Sequence, residues 1–530
     1  MKMKRFASFV LVLAVLVLPI SAFGCTAVYV GRDVSEDGSL IFAKSNDNQA
    51  VWPNRITVTE RVENVPGRTM PVDNDATVLA PLPATTYRYT ATPWMDSTVA
   101  MNGLWYDATV CTNEYGVAME MSITAFSNQA ALDADPLIDH GLTEMTAVDL
   151  VICQSATARE AVEVLASLLD RYGSSEVNIA LIADQREAWY VEMYNGHQYA
   201  AVRLPDNMVC AFGNEFNLEY VSDYTDSILS PALLTLPEEK GFAVYGENGE
   251  MNLLATYSGP SMVTDYSHLR TWYGHKLLAP SAWGEYEKSD IYPLCFVPEE
   301  KTSVQDVMEI IRNRYEGTEY SPDETGRTDV RVIGTDTALS VHIVQVFPDL
   351  PAEMSCVTWE CTGPAVYGVF VPVSNASLNV SAPYARNQGA EAVGEFDTER
   401  YPYFRIKELN TLCVEKSDCP VYGRPVRAYW HEAEAGMTKG MRAVLTAAAA
   451  MEDPERARQY ITDYCNRMQE QVFADAGKLL NAVRWYKSQN SNTMKNGRNP
   501  ETHEILDELK PIDPLQVTLD PQVYSIVPAE

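Results

Sequence analysis

The 530-residue chain has little of what marks a metal centre or a nucleic-acid surface. It holds seven histidines, and none is spaced as H-E-x-x-H or any comparable ligand pattern. Its ten cysteines include no C-x-x-C pair. Chemistry without a metal or any other cofactor is therefore expected. Basic residues are scarce, 40 Lys and Arg against 72 Asp and Glu, for a formal net charge of −32. Such a surface repels phosphate backbones and anionic lipid, which argues against nucleic acid and membrane surfaces as partners. Long apolar runs are missing except at the N-terminus, so no membrane span is expected once that segment is gone. What is present, 46% hydrophobic and 21% charged residues, is a globular composition sufficient for one large or two ordinary domains.

The exceptional run has a clear form. Lys2, Lys4 and Arg5 precede an apolar stretch from Phe6 to Leu18, then Pro19 and small residues. Charged head, apolar middle and small-residue exit make residues 1–24 a secretory signal peptide, and the expected location is secreted or periplasmic. Ala22 and Gly24 occupy the small-residue positions before a cut that would leave Cys25 first in the mature chain. An N-terminal Cys carries an amine that titrates near ~7.7–8.0 beside a thiol near ~8.5, so one residue supplies nucleophile and base. Two blander readings exist. A lipid anchor would prefer Leu at position 22 and a small residue at 23, where this chain has Ala22 and Phe23. An ordinary structural Cys is the other.

Thr26 to Gly31 and Ser39 to Lys44 read as strands around the Asp37-Gly38 turn. Antiparallel pairing there places Cys25 opposite about position 45, with Lys44 and Asp47 close by. Asp47 can accept a hydrogen bond from the α-ammonium, and the charge of Lys44 can lower the thiol pKa. Residues 50–100, rich in Pro, Thr and Asn, predict a long irregular excursion that could cover a site. Capping boxes at Thr146 and Thr157 predict helices, as does Ser303 through Tyr315 to Gly317. Short strands are expected over 177–183, 187–193, 198–203 and 209–212, and a long helix from Asp453-Pro454. Cys356 with Cys361, and Cys413 with Cys419, are close enough in sequence for small-loop disulfides. Strands grouped early with helices between the groups suggest an α+β layered domain.

The block Cys25-Thr26, Gly31, Ser35-Glu36-Asp37-Gly38-Ser39 and Lys44-Ser45-Asn46-Asp47 resembles the start of the cysteine dipeptidases related to dipeptidase A. These are N-terminal nucleophile (Ntn) hydrolases, distant cousins of penicillin V acylase and bile salt hydrolase. The resemblance continues through Asn113 to Ala118, Glu187 to Glu192, Gly196-His197, Arg203 to Asp206 with Asn214, and Ser267-His268-Leu269-Arg270. It spans roughly residues 25 to 380 in order. It implies a four-layer αββα Ntn-hydrolase sandwich with additional C-terminal helices, and amide hydrolysis through a thioester.

Carried over, the resemblance makes Cys25 nucleophile and base, Asp47 the holder of its amine, and Asn214 an oxyanion-hole donor. Arg270 matches an arginine near the nucleophile. Lys44 stands where the acylase cousins have Arg, keeping the charge without the bidentate fork. Backbone N–H groups within 121–124 are expected to contribute a further contact. The expected organisation is a signal peptide 1–24, a catalytic domain 25–400, a helical region 401–488 packed on it and a polar tail 489–530. The implied activity is an exported dipeptidase acting on short peptides. The rivals are an amidase for N-acyl amino acids and a lipid-anchored envelope protein without enzymatic activity.

Overall fold

The computed structural model describes residues 24–47, 54–93, 108–121, 123–259, 265–386, 396–414, 423–496 and 519–526. Two antiparallel sheets stack face to face. The first has six strands in the order Val209–Phe212, Ala27–Val30, Leu40–Asp47, Ala338–Val346, Cys356–Cys361 and Val371–Ser374. The second has eight, running from Ser227–Leu229 at one edge through Asn178–Ala183 to Thr57–Thr59 at the other.

The first sheet is apolar on both faces because both are covered. Val28, Val30, Ile41 and Ala43 join a core shared with helices Val304–Ile311, Arg424–Ala449 and Pro454–Asn496. Their neighbours Ala27, Tyr29, Leu40 and Phe42 point the other way, into the core between the sheets. The outer face of the second sheet packs on helices Glu144–Ile152 and Ala158–Tyr172. The layers are thus helix, sheet, sheet, helix, the expected αββα sandwich of the Ntn hydrolases with added C-terminal helices. Among the described residues no helix is long and apolar enough to cross a membrane.

Local signals set several boundaries. Thr157 caps its helix by accepting the Glu160 N–H at 3.1 Å, and Gly173 ends it at φ 68°. Ser303 and Asp306 form a reciprocal capping box. Three expectations change. The Ser303 helix stops at Ile311, where the buried Arg312 side chain is drawn to the Ala365 carbonyl and to Glu434. The helix expected at Thr146 begins at Glu144, and Asp149 instead accepts from the Tyr89 hydroxyl at 2.9 Å. Of the 50–100 excursion, residues 54–93 are described and are β-rich rather than irregular, the remainder lying outside the described residues. Thr57–Thr59 and Tyr89–Pro93 extend the second sheet, and two small ribbons lie between them. Three of its prolines, Pro71, Pro81 and Pro93, sit at strand ends, where a missing N–H costs least.

Of the expected polar tail 489–530, residues 497–518 and 527–530 lie outside the described residues. The last long helix runs on to Asn496, and residues 519–526 dock on the C-terminal helices, with Tyr524 buried and its hydroxyl 2.9 Å from Asp475. Cys356 and Cys361 do not pair. They end one six-residue strand, about 16 Å apart and on opposite faces. Cys419 lies outside the described residues.

The C-terminal helices are fastened by a buried ion pair. Arg312 grips both Glu434 oxygens, at 2.9 and 3.0 Å, and Glu434 also accepts the Phe370 N–H. Removing one partner leaves an uncompensated charge in the core. Glu434→Ala is therefore expected to cost about 3–5 kcal/mol, read as a lowered unfolding midpoint in urea.

Candidate functional site

The Asp37-Gly38 turn, with Gly38 at φ 75°, returns the chain so that Ala27 pairs with Lys44. Cys25 then lies just beyond the paired residues, opposite the end of the second strand, within a residue of its expected place. Ser45 N–H donates to the Thr26 carbonyl at 3.0 Å, and Thr26 N–H to the Ser45 hydroxyl at 3.1 Å, which fixes that end. Cys25 belongs to the inter-sheet core, whereas Thr26 faces the helical side.

Four cationic and polar side chains converge there. Arg270, fully buried on helix Asp265–Leu278, donates to the Cys25 carbonyl, to the Thr26 hydroxyl at 3.0 Å and to Asn214 Oδ1 at 2.8 Å. Its Nε–H reaches the Tyr266 carbonyl at 3.0 Å, and its last N–H the Ser267 hydroxyl at 3.4 Å. Asn214, just past the Val209–Phe212 strand, donates through Nδ2 to the Thr124 carbonyl at 2.7 Å. An amide nitrogen has two hydrogens, so this contact fixes the side chain and leaves a second donor. Arg331 pairs with Asp47 Oδ2 at 2.8 Å and donates to the Gly24 carbonyl at 3.1 Å. The Tyr266 ring lies under both arginines, at 5.3 and 5.6 Å.

Asp47 is fully buried, and its Oδ1 makes no hydrogen bond although the Ser45 hydroxyl lies close. Burial raises its pKa, with Arg331 and Arg270 acting against the rise. Burial likewise pushes the Cys25 thiol up. Lys44 opposes this by its charge, Asp47 adds to it through its carboxylate, and the Asp47 N–H opposes it by bonding the sulfur. A thiol held in this way needs a base to take its proton during attack.

Lys44 is buried between the sheets and donates to the Met121 carbonyl at 2.6 Å. Register places Lys44, His342 and Glu360 in one row across three strands, and Glu120 of the other sheet meets His342 Nε2 at 2.8 Å. Burial lifts Glu120 to about 8 and lifts Glu360 well above the usual carboxylate range, in both against the charge of Lys44, while burial and Lys44 together depress His342. Lys44 thus acts on all three of these buried neighbours in the inner chamber.

All five residues expected from the sequence, Cys25, Lys44, Asp47, Asn214 and Arg270, thus meet around one strand end. The 121–124 contribution differs from expectation: the carbonyls of Met121 and Thr124 accept from Lys44 and Asn214. Ser122 lies outside the described residues. Sequence reasoning missed Arg331 and Tyr266. Tyr266 directly precedes the Ser267-His268-Leu269-Arg270 motif and could have been found there, whereas nothing local to Arg331 points to Asp47. His268 is structural, held between the Glu215 carboxylate at 3.3 Å and the Asp290 carbonyl at 2.8 Å. Asp73, Asp75 and His140 could together offer ligand atoms to a metal ion. Asp73 already spends Oδ1 on the Val78 N–H and Oδ2 on His140, so the geometry gives this cluster no evident role.

Residues 24–415 match the model of peptidase family C69. A probable dipeptidase B from Lactococcus lactis is 33% identical over 385 residues, covering 70% of this chain and 78% of its own. A dipeptidase from Bifidobacterium longum is 29% identical over 384 residues, 66% of this chain and 70% of its own. Among solved structures, penicillin V acylase from Agrobacterium tumefaciens is similar at 12% identity, over 66% of this chain and 86% of that one, with a slight TM-score of 0.32. The chain is a peptide-bond hydrolase of peptidase family C69.

Proposed function

We propose that the chain is an exported dipeptidase in which removal of residues 1–24 makes Cys25 both nucleophile and base. One observation carries this reading: the unpartnered, fully buried Oδ1 of Asp47 beside the Gly24–Cys25 junction. A buried carboxylate oxygen without a donor is costly. A free α-ammonium on Cys25 supplies that donor, and cleavage after Gly24 creates one. Position 24 itself has no room to spare, since a Cβ there would come within 2.5 Å of the Tyr266 hydroxyl.

The reaction then runs in two halves. Cys25 Sγ attacks the peptide carbonyl as its amine takes the thiol proton, and the amine passes that proton to the leaving nitrogen. The resulting thioester is hydrolysed by water that the same amine deprotonates. The free Nδ2 hydrogen of Asn214 stabilises the oxyanion, and Arg270 keeps the amide turned that way. Lys44 steadies the developing thiolate from the inner chamber.

The names of the relatives support dipeptides as substrates. A panel of dipeptides, tripeptides, N-acetylated dipeptides and N-acyl amino acids tests this. Free dipeptides are expected to turn over at least about 100-fold faster than their acetylated forms, because a charged amine bound in a dry site is worth several kcal/mol. Turnover confined to N-acyl amino acids would overturn the substrate assignment in favour of an amidase.

A further inference from the structure

Val209 and Phe296 form an antiparallel bridge on the free edge of the six-stranded sheet. The Val209 N–H donates to the Phe296 carbonyl at 2.9 Å, and the Phe296 N–H donates back at 3.0 Å. A pair that exchanges both bonds is followed by a pair that exchanges none, here Cys210 and Cys295. Directly opposed residues of that second kind have Cα atoms about 4.5 Å apart, within the span a disulfide bridges. Their side chains point at one another, with the two sulfurs 2.9 Å apart. That is closer than unbonded sulfurs rest, and a small rotation from the ~2.05 Å of a bond.

We infer that Cys210 and Cys295 are a covalent modification site, a cross-strand disulfide that fastens the 279–302 connection to the sheet edge leading to Asn214. The two differ in access. Cys210 is buried, and burial together with its contact to Cys295 pushes its thiol pKa well up, whereas Cys295 is partly exposed. Oxidation therefore starts at Cys295. Its thiolate attacks the disulfide of an oxidant, either oxidised glutathione or an envelope thiol oxidase, and expels one thiolate. Cys210 then loses its proton and attacks the Cys295 sulfur of the mixed disulfide, releasing the second thiol. Two protons and two electrons pass to the oxidant, and one S–S bond forms in the protein.

The consequence reaches the site. Asn214, Glu215, His268 and Arg270 all lie on the chain between the two cysteines, so the bond closes the loop that carries one wall of the catalytic centre. Cys25 precedes Ala27, whereas Cys210 pairs with Tyr29, so the two cysteines sit apart along the sheet.

The test is peptide mapping of the purified full-length protein, equilibrated with oxidised glutathione and alkylated without reduction. One linked peptide pair holding Cys210 and Cys295 is expected, lighter by two hydrogens, with Cys361 and Cys465 labelling only after unfolding. Reduction should lower the Tm by a few degrees, and a Cys210→Ala/Cys295→Ala variant should show that lower Tm with or without reductant. If the double variant fails to fold, Cys295→Ser at its partly exposed position serves instead, and Cys210 should then take the label after unfolding. Alkylation of both cysteines at every glutathione ratio, or glutathione retained on Cys295 alone, would overturn the proposal.

Discussion

Cys25→Ala abolishes hydrolysis, with an expected loss on the order of 10⁴-fold or more in kcat/KM, because it removes the sulfur proposed to form the acyl bond. The more telling variant leaves the sulfur in place. Ala22→Arg, which blocks cleavage after Gly24, keeps Cys25 as an amide within the chain. Its nitrogen can no longer accept a proton, and the thiol, which burial holds up, is left without a base. A loss of similar size is expected, with the fold and the Arg331–Asp47 pair retained. Activity of the processed enzyme should rise with pH through about 7–8, the range in which an α-amine becomes neutral, and this limb should vanish with the leader attached. Mass spectrometry of the active protein reads the remaining alternatives directly. An unmodified Cys25 at the N-terminus is the expected result. A diacylglyceryl adduct would instead identify a lipid anchor, and full activity from a chain starting elsewhere would remove the amine from the mechanism.

Asn214→Ala is the second large effect. Loss of one oxyanion donor is expected to lower kcat about 10²–10³-fold, equivalent to about 2.7–4 kcal/mol, with KM little changed. The substitution also leaves an N–H of Arg270 without its acceptor at 2.8 Å, so a drop in Tm should accompany the kinetic loss. Arg270→Lys separates the two contributions. Lysine keeps the charge but lacks the planar fork that spans the Cys25 carbonyl, the Thr26 hydroxyl and Asn214. Its kcat should fall while Asp47 and Arg331 remain paired. Should Asn214→Ala turn over at the parental rate, the oxyanion would have to be held by backbone N–H groups alone.

How much of this was legible in the sequence depends on sequence separation. The Cys25–Lys44–Asp47 group was legible because one short turn fixes its register, and strand periodicity then assigns each side chain a face. Asn214 and Arg270 were legible only through motif resemblance, since nothing in their own neighbourhoods indicates that they meet. The 50–100 stretch was misread because its prolines and asparagines outweighed the alternating Thr, Val and Tyr that build its strands. Sulfur pairing was misread because proximity in sequence stood in for proximity across a sheet. Cys356 and Cys361 are joined by an extended strand that keeps them apart, and Cys210 and Cys295 are brought together by a bridge at the sheet edge.

The sequence by itself determined an α+β layered domain and pointed to Cys25 as the candidate nucleophile, because hydrophobic period, turn chemistry and a leader-like N-terminus act over a few residues and need no distant partner. The αββα class came through the family resemblance. Only the tertiary structure decided that Arg331 answers Asp47, that Tyr266 lies beneath two arginines, and that Lys44 shares a buried chamber with Glu120, His342 and Glu360. Those contacts close loops of up to about three hundred residues, so their geometry depends on how two sheets and their helices stack, which no local pattern encodes.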